Sequence, residues 1–215
     1  MAQIITAIQE KGGTGKTTLI CSLAALLNED NAKVLIIDTD PQDGSSNWWV
    51  ERENTSENIT CLRHTNEETF FDIIEQTEHQ FDIILIDTAG YKSAIAQYAI
   101  QVSNLILIPT KAEELSLAGA LRTLKHIQNS TRNIKEKPNI RIILMDYDQN
   151  TMMAHKLRLF LKEQNYPILE TYIPRYIGFK EMFSTGGLPS GNAYKAIRAC
   201  IASLQIENLI SYYNR

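Results

Sequence analysis

The chain has 215 residues, 44% of them hydrophobic, and a formal net charge of −4. That length closes one substantial core and is short for two, and the near-neutral balance does not by itself announce a polyanion partner. No stretch approaches the roughly 18 consecutive apolar residues of a membrane span, and the start MAQIITAIQE lacks the basic flank and small-residue cleavage site of a secretory leader, which predicts a cytoplasmic chain.

In chain order, QIITAIQ (3–9) is a short apolar run that ends at the glycine-rich stretch KGGTGKTT, Lys11 to Thr18. TTLICSLAALLNED follows with Leu19, Leu23, Leu26 and Leu27 at helical spacing. AKVLIIDTD (32–40), FDIILIDTAG (81–90), NLILIPT (104–110) and NIRIILMD (139–146) are continuous runs rich in Ile, Leu and Val, too short for independent helices and lacking the alternation of a half-exposed strand. Such runs predict strands buried on both faces. Between them, TFFDIIEQTEH (69–79), KSAIAQYAIQVS (92–103), LSLAGALRTLKHIQNS (115–130) and MMAHKLRLFLKEQ (152–164) read as helices with one apolar stripe. The alternation predicts an α/β fold with a mainly parallel, twisted sheet flanked by helices on both faces. No linker, repeat or low-complexity tract interrupts it, so residues 1–215 are expected to form a single domain.

The last segment, from Leu188, places Ile197, Cys200, Ile201, Leu204, Leu209 and Ile210 on one broad helical face. After Arg198 it carries no Lys or Arg before Arg215, which argues for a helix packed on the core and against a stable amphipathic membrane anchor. Cys21, Cys61 and Cys200 are scattered and lack metal or redox spacing; they are expected to be structural thiols. Trp48 and Trp49, in NWW, are read as core or dimer packing at the start of a helix.

The glycine stretch carries the chemistry. Between a strand and a helix, Gly12, Gly13, Thr14 and Gly15 let backbone N–H groups approach phosphate oxygens, and the helix N-terminus adds its positive dipole end. Lys16 is expected to neutralise the β- and γ-phosphates, Thr17 to ligate Mg²⁺ and Thr18 to lie beside the α-phosphate. The pattern G-x-x-x-x-G-K-[ST] would need glycine at position 10, where this chain has Glu10, and it has a second lysine, Lys11.

KGGTGKTT resembles the deviant Walker A motif of the ParA/MinD family of P-loop ATPases. VLIIDTDPQ (34–42) and FDIILIDTAG are similar to that family's second motif and Walker B, and NLILIPTKAEELSLAG and IPRYIGFKEMFSTGGLP (173–189) resemble later blocks of its small partition ATPases. The resemblance implies that Asp87 binds Mg²⁺ through water, that Asp38 supports the magnesium shell, and that Asp40 positions the attacking water. It implies that Lys11 reaches across an ATP-sandwich homodimer to the partner's nucleotide. Apart from the resemblance, adjacent Glu10 has two readings: an ordinary exposed loop carboxylate, which is the favoured one, or a tether that holds Lys11 away from the phosphates in the monomer. The family's adenine-binding asparagine is replaced by Asp146, whose carboxylate can accept from adenine or from guanine.

Partition relatives bind DNA without sequence preference when ATP-bound, associate with the nucleoid, and are stimulated by a ParB-like or adaptor protein. Here Arg175, Lys180, Lys195 and Arg198 are the candidate DNA contacts, with Arg122, Lys125, Arg132, Lys135 and Lys137 as a second cluster. A MinD-like membrane cycle and an iron–sulfur reductase are the alternative readings, the last requiring cysteines that bridge a dimer.

Overall fold

The computed structural model describes residues 1–51, 58–90 and 93–211. The five expected apolar runs are strands β1 (Gln3–Ala7), β2 (Val34–Asp38), β4 (Ile83–Asp87), β5 (Leu105–Lys111) and β6 (Asn139–Met145). Every residue of β2 and β4 is buried, as continuous apolar strands require. Two further strands, β3 (Ile59–Arg63) and β7 (Ile168–Ile173), were not expected from the sequence. They are the sheet edges and expose residues such as Thr60 and Glu170, so neither reads as an apolar run.

All strands pair in parallel, in the order β3-β2-β4-β1-β5-β6-β7. Helices α1 (Lys16–Glu29), α2 (Gly44–Glu51), α7 (Gly178–Thr185) and α8 (Gly191–Ile206) cover one face, burying Leu19, Leu23, Trp48, Met182, Ile197 and Leu204 against it. Helices α3 (Phe70–Thr77), α4 (Ala94–Val102), α5 (Glu114–Ser130) and α6 (Met152–Glu163) cover the other. The expected helix at 92–103 begins at Ala94, where the Ser93 hydroxyl accepts from the Ala96 N–H at 3.2 Å; Lys92 lies outside the described residues.

The C-terminal helix packs on the core, but it ends earlier than its apolar pattern suggests. After Ile206 the chain turns through Asn208 at φ 55°, and the Leu209 N–H donates to the Leu204 carbonyl at 2.8 Å. Leu209 and Ile210 are buried by this return, and the Gln3 side chain donates to the Leu209 carbonyl at 2.6 Å. Arg215 lies outside the described residues. No described helix is long and apolar enough to cross a membrane.

Parallel pairing brings the C-terminal ends of the strands to one edge of the sheet. Ala7 and Asp38 are both in register with Asp87, and Lys111 is in register with Met145. The glycine loop after β1 therefore faces the acidic ends of β2 and β4 on one side and the ends of β5 and β6 on the other. In parallel α/β sheets this edge, where successive connections diverge to opposite faces, is where ligands bind.

Candidate functional site

A cleft of about 620 Å³ opens at that edge. It is lined by the loop Gly12 to Thr18, by Asp40 and Gln42, by Lys111, Met145 and Asp146, and by Ile173, Arg175, Tyr176, Phe179, Lys180 and Phe183. Its size suits a nucleotide-sized ligand. Gly13 and Gly15 take φ of 71° and 101°, the left-handed region in which a Cβ is costly, and a Cβ on Gly15 would come within 2.9 Å of the Met145 side chain. These two glycines make the tight turn that aims successive backbone N–H groups into the cleft ahead of α1.

Lys16 opens α1 and is 7% exposed. Burial holds its pKa below the usual lysine value, while Asp87 and then Asp40 pull it back up. The ammonium thus sits in a desolvated place beside two carboxylates, where its charge is weakly screened.

Asp87 ends β4 and is completely buried. The Ser45 hydroxyl donates to its Oδ2 at 2.5 Å, whereas Oδ1 is buried with no hydrogen-bond partner. Burial raises its pKa from 3.8 to about 6, against the opposing effects of the Ser45 and Thr17 hydroxyls and Lys16. A buried carboxylate oxygen without a donor, near a threonine hydroxyl at a helix start, has the chemistry of a divalent-cation site completed by water and phosphate oxygens. Gly44 permits the close approach of α2, since a Cβ there would meet Thr17 Cγ2 at 2.9 Å.

The raised pKa has a measurable consequence. Protonated Asp87 favours the folded state, so its contribution is fully present below about pH 4 and is lost as pH rises through about 6, by on the order of 3 kcal/mol. Asp87→Asn is therefore expected to raise the melting temperature of the nucleotide-free protein at pH 7 by roughly 6–12 °C, and the difference from wild type is expected to vanish toward pH 4. Thermal denaturation at pH 4, 5, 6 and 7 reads this directly; equal melting temperatures at pH 7 would remove the buried-charge account.

Asp38 is also completely buried, but its oxygens face its own loop. Oδ1 accepts from the Asp40 N–H at 3.1 Å; Oδ2 accepts from the Ser46 N–H and hydroxyl, each at 2.8 Å. These bonds make Asp38 the brace of the turn that carries Asp40, and neither Asp38 nor Asp87 is among the residues that line the cleft itself. Asp40 does line it, half-buried, with Oδ1 accepting from the Gln42 N–H at 2.9 Å.

Lys11 is not tethered by Glu10. Its ammonium pairs with Glu113 at 3.1 Å, and Glu10 pairs instead with Arg122 at 2.6 Å. The buried Gln9 side chain sets this arrangement, donating to the Ser116 carbonyl and accepting from the Thr123 hydroxyl, each at 3.2 Å. Neighbours in sequence diverge because Lys11 is drawn to Glu113 at the N-cap of α5 and Glu10 to Arg122 in the interior of that helix. Glu10→Gln is accordingly expected to leave the ATP-dependent monomer–dimer balance within about twofold of wild type, since an exposed ion pair contributes little. Analytical ultracentrifugation measures it, and a marked shift toward dimer would reinstate Glu10 as the tether of Lys11.

Of the candidate DNA contacts, Arg175 and Lys180 line the cleft. Lys195 is exposed on α8. The Arg198 guanidinium pairs with Asp30 at 2.6 Å and Glu29 at 2.8 Å and lies over the Tyr194 ring, clamping α8 to the end of α1. In the second cluster Arg122 is engaged by Glu10, while Lys125, Arg132, Lys135 and Lys137 are exposed. Trp48 is in the core at 1% exposure and Trp49 packs against it in part. The three cysteines are free and sit on α1, β3 and α8; burial raises Cys61 and Cys200 to about 12, which makes them poor nucleophiles and ligands.

Sequence reasoning missed Ser45, the donor to Asp87, and Lys111, which pairs with Asp146 at 2.8 Å. Of the aromatic wall of the cleft, Tyr176 and Phe179 lie in the block IPRYIGFKEM that the family resemblance places near the base, and Phe183, just beyond it, was missed. Ser45 stands five residues after Asp40 in a polar stretch, with no periodicity to mark it.

Residues 5–189 match the family described as the CobQ/CobB/MinD/ParA nucleotide binding domain. The chain belongs to this family. It is 27% identical over 176 residues to the maintenance of carboxysome distribution protein A of Gloeobacter kilaueensis, covering 81% of this chain and 77% of that protein. It is 24% identical over 187 residues to a ParA protein of Rhizobium radiobacter, covering 86% and 83%. Among solved structures, the septum site-determining protein MinD of Pyrococcus horikoshii, complexed with Mg-ADP, aligns with a TM-score of 0.75 at 19% identity over 97% of each chain. The ParA/MinD resemblance and the P-loop NTPase fold with its parallel sheet are thereby established. The glycine loop, Asp40 and Asp87 all fall within the matched span of this CobQ/CobB/MinD/ParA domain.

Proposed function

We propose that residues 1–215 act as one Mg²⁺-dependent ATPase unit of the ParA type. It forms an ATP-sandwich homodimer, binds DNA without sequence preference, and uses slow ATP hydrolysis to time the positioning of DNA or another cargo. The observation that carries this reading is buried Asp87, whose Oδ1 has no hydrogen-bond partner, acting on Lys16 and Thr17 of the glycine loop.

Lys16, with the N–H groups of Gly12 to Thr18, holds the triphosphate of its own chain. Thr17 and Asp87 would hold Mg²⁺, which would supply charge neutralisation to the bound phosphates. Asp40 orients the attacking water by accepting one of its protons. Lys11 leaves Glu113 to meet the partner's phosphates, the role an arginine finger plays in other NTPases.

Exposed Lys195, together with the basic groups at the cleft mouth, supplies DNA contacts whose strength falls steeply with salt. A ParB-like or adaptor protein is the expected stimulator, and association with the nucleoid is the expected location in the ATP-bound state. The carboxysome-distribution relative favours cargo other than DNA as a second reading of the same cycle.

Sedimentation with ATP, ADP or no nucleotide, in the presence of nonspecific DNA or anionic liposomes, tests the proposal. ATP-dependent, salt-sensitive co-sedimentation with DNA supports it. Binding to liposomes alone would replace it with a membrane cycle.

A further inference from the structure

Asp146 occupies the first turn beyond β6 at φ 51°, and the Tyr147 N–H, donating to the Ile173 carbonyl at 3.1 Å, pins that turn to the end of β7. Its side chain lines the cleft and is 40% exposed. The Lys111 ammonium, from the end of β5, approaches Asp146 Oδ2 at 2.8 Å and is itself 29% exposed. Among the described residues no donor reaches Oδ1. The pair therefore presents one free acceptor and one ammonium to the cleft.

A free carboxylate is a natural reader of guanine, whose N1–H and N2–H₂ are adjacent donors that meet both oxygens at once. Adenine offers a single amino donor beside a ring-nitrogen acceptor. Two-point recognition of this kind discriminates bases strongly, because a mismatched edge leaves polar groups unpaired. Lys111 changes what Asp146 offers. With Oδ2 taken, the two-oxygen grip on guanine is lost, and the ammonium repels the donor hydrogens of that edge. The amino group of adenine still finds Oδ1, and the ammonium has hydrogens left for an acceptor.

We propose that Lys111 is a base-selectivity residue, converting Asp146 from a guanine-reading carboxylate into a single acceptor that favours adenine. This rests on the reading of the cleft as a nucleoside triphosphate site. It assigns to Lys111 a role independent of the phosphates and of hydrolysis.

The test is the ratio of ATP to GTP affinity, measured by titration calorimetry with Mg²⁺ on wild type, Lys111→Met and Lys111→Met/Asp146→Asn. Lys111→Met is expected to move the ratio toward GTP by about tenfold, because both carboxylate oxygens become free. The double variant, which has one acceptor oxygen again, is expected to return the ratio to within about threefold of wild type. Should Lys111→Met not fold, Lys111→Ser makes the same measurement. A ratio unchanged in the single variant, with both affinities falling together, would mean that Lys111 serves phosphate or ribose and would overturn the proposal. So would a GTP gain that persists without the Asp146 carboxylate. Failure of wild type to bind either nucleotide would instead overturn the reading of the cleft itself.

Discussion

Lys16→Ala is expected to lower ATP affinity by at least about a hundredfold. Two charge-assisted contacts to phosphate at roughly 1.5–3 kcal/mol each set that scale. The local environment supports a large effect, because Lys16 is almost fully buried and faces Asp87 and Asp40. Without its ammonium those two carboxylates meet the incoming triphosphate unopposed. Titration with a fluorescent ATP analogue measures the loss, and the variant's fold can be checked by its melting curve. Affinity within a few-fold of wild type would separate Lys16 from the phosphates and dismantle the reading of the glycine loop.

Asp40→Ala is expected to leave ATP affinity within a few-fold while slowing hydrolysis by roughly 10²–10⁴, the range associated with loss of a positioned proton acceptor. The ATP-bound dimer should then accumulate, visible as a species of doubled mass that persists after wild type has returned to monomer. Asp40 also braces its loop through the Gln42 N–H, so the alanine variant alone mixes two effects. Asp40→Asn keeps an acceptor for that N–H and removes the charge. If the asparagine variant is as slow as the alanine one, the loss is chemical; if Asp40→Ala hydrolyses at the wild-type rate, the water-positioning assignment is wrong.

These two residues illustrate how unevenly the site was legible. Lys16 stands in a motif whose spacing carries its own physical reason: glycines for close approach, a helix start for the dipole, a lysine for the charge. Asp38 and Asp40 share one strand end and one residue type, and nothing in DTDP separates a cleft-facing carboxylate from a loop-holding one. Their separation depends on Ser46, whose N–H and hydroxyl capture Asp38 from the start of α2. The Lys11 contact was equally hidden, because its partner Glu113 and the competitor for Glu10, Arg122, lie about a hundred residues away, at the N-cap of α5 and within it.

By itself the sequence determined the parallel α/β class, the five central strands, most of the helices and the phosphate-binding loop. These are written in local periodicity and local spacing, because a strand buried on both faces must be apolar throughout and a phosphate cradle must be rich in glycine. Only the tertiary structure decided the edge strands, whose exposed positions break the apolar pattern, and the partners of the charged groups. Ion pairs such as Lys111–Asp146 join elements brought side by side by sheet order. Charge has no period along the chain, so its pairing is settled only when the strands take their places.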